Sequence, residues 1–282
     1  MPGHEIRRSN YDSTLSLTPD AEGYGSVEIR VTVELRPFDP TLAPDQSSAL
    51  VLASPGLDPS AGYVIPWDGA SWDRFRADFF HVVKYWDRKL WLYHPGRGGS
   101  PSRSSVPHAL RCRFRARPQE ADAQMVLLCA RMAEITPPLR TYLCSLGGNL
   151  AGSGASCGDM VFLDQPAALE WSGRRDGIDG LLSSRDVRPV KREDIEQVVA
   201  VHEVGHYLGL SHVNAGPHVM SGDPKEYGAN PYQASDVMGL GMRIDAWHGW
   251  PWRNRLRQHL RQLGFGDGAG WRSTHLDPSV AR

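Results

Sequence analysis

Between Val27 and Arg36 the chain reads VEIRVTVELR. Val27, Ile29, Val31, Val33 and Leu35 alternate with Glu28, Arg30, Thr32, Glu34 and Arg36. Strict period 2 over this stretch predicts a strand with one buried face and one wet face. Pro37 ends it, and the proline-rich residues 37–70 read as loop, with a short strand at Ala49–Ala53. From Ser71 to Leu92 the spacing changes. Trp72, Phe75, Phe79, Val82, Val83 and Trp86 recur at helical intervals, which predicts an amphipathic helix with Ser71 as its N-cap. Residues 94–107 are rich in Gly, Ser and Pro and read as an exposed loop.

Strands return at Arg111–Arg117, at Gln124–Arg131 and, after a Gly-rich loop at 147–158, at Asp159–Leu163. Arg111, Arg113, Arg115 and Arg117 share one face, which reads as a solvated, charge-protected sheet face. Lys191–Leu210 reads as a helix that is apolar almost all round from Ile195 onward, and therefore buried. Glu193 and Asp194 fall in its expected first turn and Gly209 near its expected stop. A last helix is expected over Pro251–Leu263, with Pro251 in its first turn. No repeat or sharp composition break divides the chain. The organisation expected is a loose polar arm over 1–26 and one domain over 27–282.

Composition refines this only at the edges. With 29 glycines and 21 prolines in 282 residues, much of the chain belongs to loops. A formal net charge of −1 gives no bias toward polyanions, so nucleic acid is not the expected partner. No apolar run approaches the ~18 residues of a membrane span. The opening MPGHEIRRSNYDSTLSL has no apolar core, so no signal peptide is expected. That leaves three options: a cytoplasmic location, an upstream start missing from the sequence, or export by a signal-independent route. Cys112, Cys129, Cys144 and Cys157 lack C-x-x-C spacing and read as buried thiols, with Cys144 and Cys157 the pair best placed for a bridge.

The chemistry is concentrated in His202-Glu203-Val204-Gly205-His206-Tyr207-Leu208-Gly209-Leu210-Ser211-His212, which fits H-E-x-x-H-x-x-G-x-x-H at every position. His202 and His206 are i and i+4 on a helix and project from one face. Two imidazoles so placed grip one Zn²⁺. Glu203 lies too far round the helix to join them but can reach a water beside the metal. Gly209 lets the chain leave the helix with positive φ and bring His212 back as third ligand. Three neutral histidines leave a fourth position open, as a catalytic zinc requires. A bare HExxH arises by chance in roughly 2 of 100 such chains, and the full pattern in about 1 of 10,000, so coincidence is the weaker explanation.

The eleven-residue motif resembles the signature of the metzincin clan of zinc metallopeptidases. The resemblance implies an α/β (α+β) catalytic domain. Its parts are a twisted, mostly parallel sheet with an antiparallel edge strand, a long zinc-binding helix and a C-terminal helix. It implies a zinc endopeptidase acting on a protein or peptide, with Glu203 as general base and one catalytic Zn²⁺ on His202, His206 and His212. The substrate is expected to pair with an edge strand near Asp159–Leu163. Metzincins also place a Met-turn beneath the metal. Met238 is favoured for it, because Gly239 and Gly241 suit a tight turn and the Pro251 helix follows; Met220 is the alternative. No tyrosine stands just after either methionine, so a metal-linked tyrosine switch is not expected. Tyr207, His218 and His248 read as packing or surface residues. Glu226 is a weaker candidate for a His-His-Glu ligand set. The rival functions are an amidase-like zinc hydrolase and an inactive metal-bound binding module, the latter disfavoured by the intact Glu203.

Overall fold

The computed structural model describes residues 3–8, 10–38, 64–95, 107–132, 180–192, 195–215, 224–266 and 268–276. Its first three strands, β1 (His4–Ile6), β2 (Asp12–Ser16) and β3 (Gly25–Pro37), form an antiparallel meander in which Ser13 pairs with Ile29 and Leu15 with Val27. Within the stretch expected as a loose arm, residues 4–6, 12–16 and 25–26 are therefore sheet. Tyr11, Ser13 and Leu15 alternate inward and are all buried. Ser13 hides that period from a hydropathy reading. Its hydroxyl lies 3.0 Å from His259 Nε2, so a polar residue fits the core through a partner far along the chain. In β3 the expected alternation holds: Val27, Ile29, Val31 and Val33 are buried, and Glu28, Arg30 and Thr32 are half-buried on the other face.

After β4 (Val64–Ile65) comes α1 (Gly69–Val82). Asp68, rather than Ser71, caps it, its carboxylate accepting the Ser71 N–H at 2.8 Å. The helix expected to reach Leu92 ends ten residues earlier and tightens into a 3₁₀ turn, Val83–Trp86. The chain turns away through Arg88, whose φ is 61°, and Leu92 lies in β5 (Trp91–Tyr93). β6 (Ala109–Pro118) and β7 (Met125–Met132) match the two expected strands. The Asp87 carboxylate accepts from the Phe114 N–H at 2.9 Å and Arg113 Nε at 3.0 Å, which fixes the exit of α1 to β6. On the arginine face of β6, Arg111 pairs with Glu22, Arg113 with Asp87 and Arg115 with Glu28. The strand expected at Asp159–Leu163, the short one at Ala49–Ala53 and the Cys144–Cys157 pair lie outside the described residues. Cys112 and Cys129 are buried free thiols.

β8 (Gly180–Ser183) is followed by a separate antiparallel hairpin of β9 (Val190–Arg192) and β10 (Ile195–Gln197), and only then by α2 (Val199–Tyr207). The helix expected from Lys191 thus starts at Val199. A short run rich in Val and Ile is ambiguous between strand and helix, and here the extended Val198 divides the two. The first turn of α2 is held from outside, the Ala200 N–H donating to the Asp186 carbonyl at 3.0 Å. A one-turn α3 (Pro231–Ala234), α4 (Trp250–Gln262, with Pro251 in its first turn) and β11 (Arg272–Thr274) complete the described α-helices and strands, with 3₁₀ turns at Pro224–Tyr227 and Ala246–Gly249.

Among the described residues the main sheet has nine strands. The pairs β3–β6, β3–β7 and β7–β8 are parallel, and the others are antiparallel. The sheet is therefore mixed, with a parallel centre and antiparallel flanks, rather than mostly parallel with a single antiparallel edge. With the four α-helices of the described residues, the fold is of the α+β kind. One apolar cluster joins Phe79 and Trp86, Val201 and Val204 of α2, Trp252 and Leu256 of α4, and the inward face of β3. Trp86 Nε1 donates to the Val201 carbonyl at 2.9 Å, tying the end of α1 to the middle of α2. No helix among the described residues is long and apolar enough to cross a membrane.

His259 of α4 is buried, with Nδ1 2.7 Å from His4 Nδ1. Burial first, then the charges of His4 and Arg255, hold its pKa down at about 4. An unfolded histidine titrates near 6.5, so the unfolded chain binds the extra proton first. The stability tied to neutral His259 is present above about pH 6.5 and is lost as pH falls toward 4, by about 3 kcal/mol. Urea melts of metal-free protein at pH 7.5 and 4.5 will show this drop, and His259→Gln will show a smaller one. An equal drop in both proteins would reject the assignment.

Candidate metal centre

α2 ends in a Schellman turn. The Gly209 N–H donates to the His206 carbonyl at 2.8 Å and the Leu210 N–H to the Gly205 carbonyl at 3.0 Å. Gly209 has φ +93°, the left-handed conformation expected of it. The turn reverses the chain, and His212 comes back beside the helix. His206 Nε2 then lies 3.0 Å from His202 Nε2 and 3.0 Å from His212 Nε2. Among the described residues these three histidines are the group of His, Cys, Asp or Glu side chains close enough to hold a metal ion, and Glu203 is not one of them. Glu203 is half-buried on α2 beside His202.

The outer nitrogens decide the protonation of the inner ones. His202 Nδ1 is 2.8 Å from the Val237 carbonyl, and His206 Nδ1 is 2.8 Å from the Leu210 carbonyl. A carbonyl only accepts, so each Nδ1 carries the proton and each Nε2 of the neutral ring presents a lone pair. His212 Nδ1 faces Glu226 Oε1 at 3.5 Å, which favours the same tautomer. Three lone pairs converging at this distance repel one another unless a cation lies between them. A tetrahedral ion with Zn–N bonds of about 2.0–2.1 Å would set its ligand nitrogens about 3.3 Å apart, so the donor set fits a divalent metal. Burial, with His212 nearby, pushes the His206 pKa down to about 4, which keeps its ring neutral and able to bind at ordinary pH.

The remaining residues sit around this cluster. Met238 is fully buried, and a Cβ built on Gly205 would meet its Sδ at 2.3 Å, so the methionine packs against α2 between the two helical histidines. The Met238 N–H donates to Asp236 Oδ1 at 2.8 Å, and the Gly239 N–H to the Asp236 carbonyl at 2.9 Å, so Asp236–Gly239 is a tight turn. Met220 and His218 lie outside the described residues. Glu226 does not join the ligand set. It is buried on the outer side of His212 and backs that ring. His248 is a core residue, fully buried, with Nε2 2.9 Å from Asp236 Oδ1. Tyr207 reaches the Asn10 and Gln124 carbonyls with its hydroxyl, as a packing residue would.

Sequence reasoning missed Gln197, whose amide donates to the Gly239 carbonyl at 2.9 Å and braces the turn under His202. It also missed Tyr227, whose ring centroid lies 4.2 Å from that of His212. No spacing rule flagged either one; the only available signal was their place within the loops next to the motif. Compared with known proteins, the chain matches no protein-family model, no curated protein and no solved structure.

Partners on the outer nitrogen of a ligating histidine fix its orientation and raise its basicity, and losing one costs about 10–100-fold in metal affinity. Glu226→Gln is therefore expected to weaken metal binding by about that factor while leaving the secondary structure unchanged. Competition with a chromophoric chelator, read beside far-UV circular dichroism, measures both. Unchanged affinity would separate Glu226 from the centre.

Proposed function

We propose that the protein is a zinc-dependent endopeptidase of metzincin type. The observation that carries this reading is the convergence of three Nε2 atoms, that of His206 3.0 Å from each of the other two, beside a helix that carries Glu203 next to His202. His202, His206 and His212 hold the ion. Zn²⁺ bound there supplies Lewis acidity, lowering the pKa of water and polarising a carbonyl. Glu203, next to the ligands but outside their set, accepts a proton from the attacking water as its oxygen joins the carbonyl carbon. It delivers that proton to the amine nitrogen as the C–N bond breaks. Val237, Leu210 and Glu226 hold the imidazoles in register through their Nδ1 atoms. Met238 packs beneath the ligand helix as the Met-turn residue.

The test joins metal analysis to peptide cleavage. Purified wild type is expected to hold about one zinc per chain and to cleave an unstructured protein such as casein. The His202→Ala/His206→Ala double variant is expected to hold none and to cleave nothing. Full metal content in that variant would reject the site, and zinc-loaded wild type inert on peptides but active on small amides would favour the amidase-like alternative.

A further inference from the structure

Away from the histidines, a cavity of about 390 Å³ opens between α1 and the Ser184–Arg188 turn that follows β8. It lies where the parallel strands β7 and β8 end, the position at which open α/β sheets bind ligands. Trp67, Phe75 and Val187 give it an apolar surface, with the rings of Trp67 and Phe75 5.1 Å apart between centroids. Around that surface stand Arg74 from α1, Arg131 from β7, and Arg185 and Arg188 from the turn, against one lining carboxylate, Asp78. Arg131 is engaged by Asp68 Oδ2 at 2.6 Å and by the Pro66 carbonyl. With Arg131 so paired and Arg185 also engaged, Arg74 and Arg188 still outnumber the one lining carboxylate, and the lining remains positive.

Cationic groups brought together from three separate elements repel one another, and the apolar cluster does not need them for its own burial. Guanidinium groups stay charged at any working pH, and their planar forks match carboxylate and phosphate oxygens two at a time. An aromatic surface beside them suits a flat apolar body. The volume is that of a small-molecule site rather than of a protein interface. We propose that this cavity binds a small organic polyanion, two or more carboxylate or phosphate groups on a flat apolar scaffold. The site is independent of the reading of the metal centre.

Isothermal titration of the full chain with benzene-1,3,5-tricarboxylate tests the proposal, with benzene-1,3,5-trimethanol and inorganic phosphate as further arms. The tricarboxylate is expected to bind and the uncharged trimethanol is not. Arg74→Ala/Arg188→Ala, two exposed positions, is expected to weaken binding at least about 10-fold, while Arg253→Ala on α4 leaves it unchanged. Affinity is expected to be equal in zinc-loaded and metal-stripped protein of matching circular dichroism, which separates this site from chelation at the histidines. Failure of the metal reading would leave these results untouched. Binding that survives the double substitution, is matched by the trimethanol, or disappears on stripping the metal would overturn the proposal. Phosphate binding as tight as that of the tricarboxylate would overturn the part assigned to the apolar surface.

Discussion

Glu203→Gln is expected to keep the metal and the fold and to lose at least about 10²-fold in turnover, the contribution of a positioned general base. The substitution preserves shape, removes the charge and leaves His202, His206 and His212 as they are. Because Glu203 stands outside the ligand group, metal content should not change. The loss should fall on kcat and on kcat/KM alike, since the proton is moved in the transition state and not in substrate binding. Steady-state kinetics beside metal analysis on the same preparations check this. A variant with full zinc and wild-type turnover would remove Glu203 from the mechanism, and one that loses its zinc would make Glu203 a part of the metal site instead.

Met238→Ala and Gly205→Ala form the second pair, and they report on one contact. Truncating the fully buried Met238 is expected to cost about 2–5 kcal/mol, as core truncations do. Helix propensity alone would make Gly205→Ala stabilising by about 1 kcal/mol. The added methyl would instead sit 2.3 Å from Met238 Sδ and 3.0 Å from the Trp86 ring, so a net loss of about 1–3 kcal/mol is expected. In the double variant the new methyl enters space that Met238 has vacated, so its total loss should be smaller than the sum of the two single losses. Denaturant melts of the zinc-loaded and chelated forms give all the numbers. Strict additivity would mean that the two residues do not touch.

The parts of this fold that were legible share a simple physical basis. β3 alternates because one of its faces packs on the helices, and that asymmetry is written in every second residue. His202 and His206 were readable because helical geometry fixes what lies one turn apart, and Gly209 because few other residues tolerate its backbone angle. What escaped depended on partners distant in sequence. β2 buries a serine that only His259 satisfies. The β9–β10 hairpin uses the same short apolar vocabulary as a helix start. The orientation of the histidines rests on the carbonyls of Leu210 and Val237, and a backbone carbonyl carries no residue identity to read. Glu226 was visible as a carboxylate near the motif, but only the fold shows that it stands behind His212.

The three outer nitrogens of the histidine cluster reach three separate stretches of chain, at Leu210, Glu226 and Val237. An ion seated among the inner nitrogens would bond only to the stretch from His202 to His212, and its hold on the segments at Glu226 and Val237 would pass through the non-covalent contacts of the imidazole Nδ1 atoms. Loops closed by a strong bond take entropy from the unfolded chain, in proportion to the logarithm of their length. The loops closed inside that stretch are short, so zinc in this protein would act chiefly as a clamp on the three rings and on the contacts behind them. Hydrogen exchange of the stripped chain should then quicken first at the backbone amides of Leu208, Leu210 and Val237, and restoring the ion should slow those amides before any others.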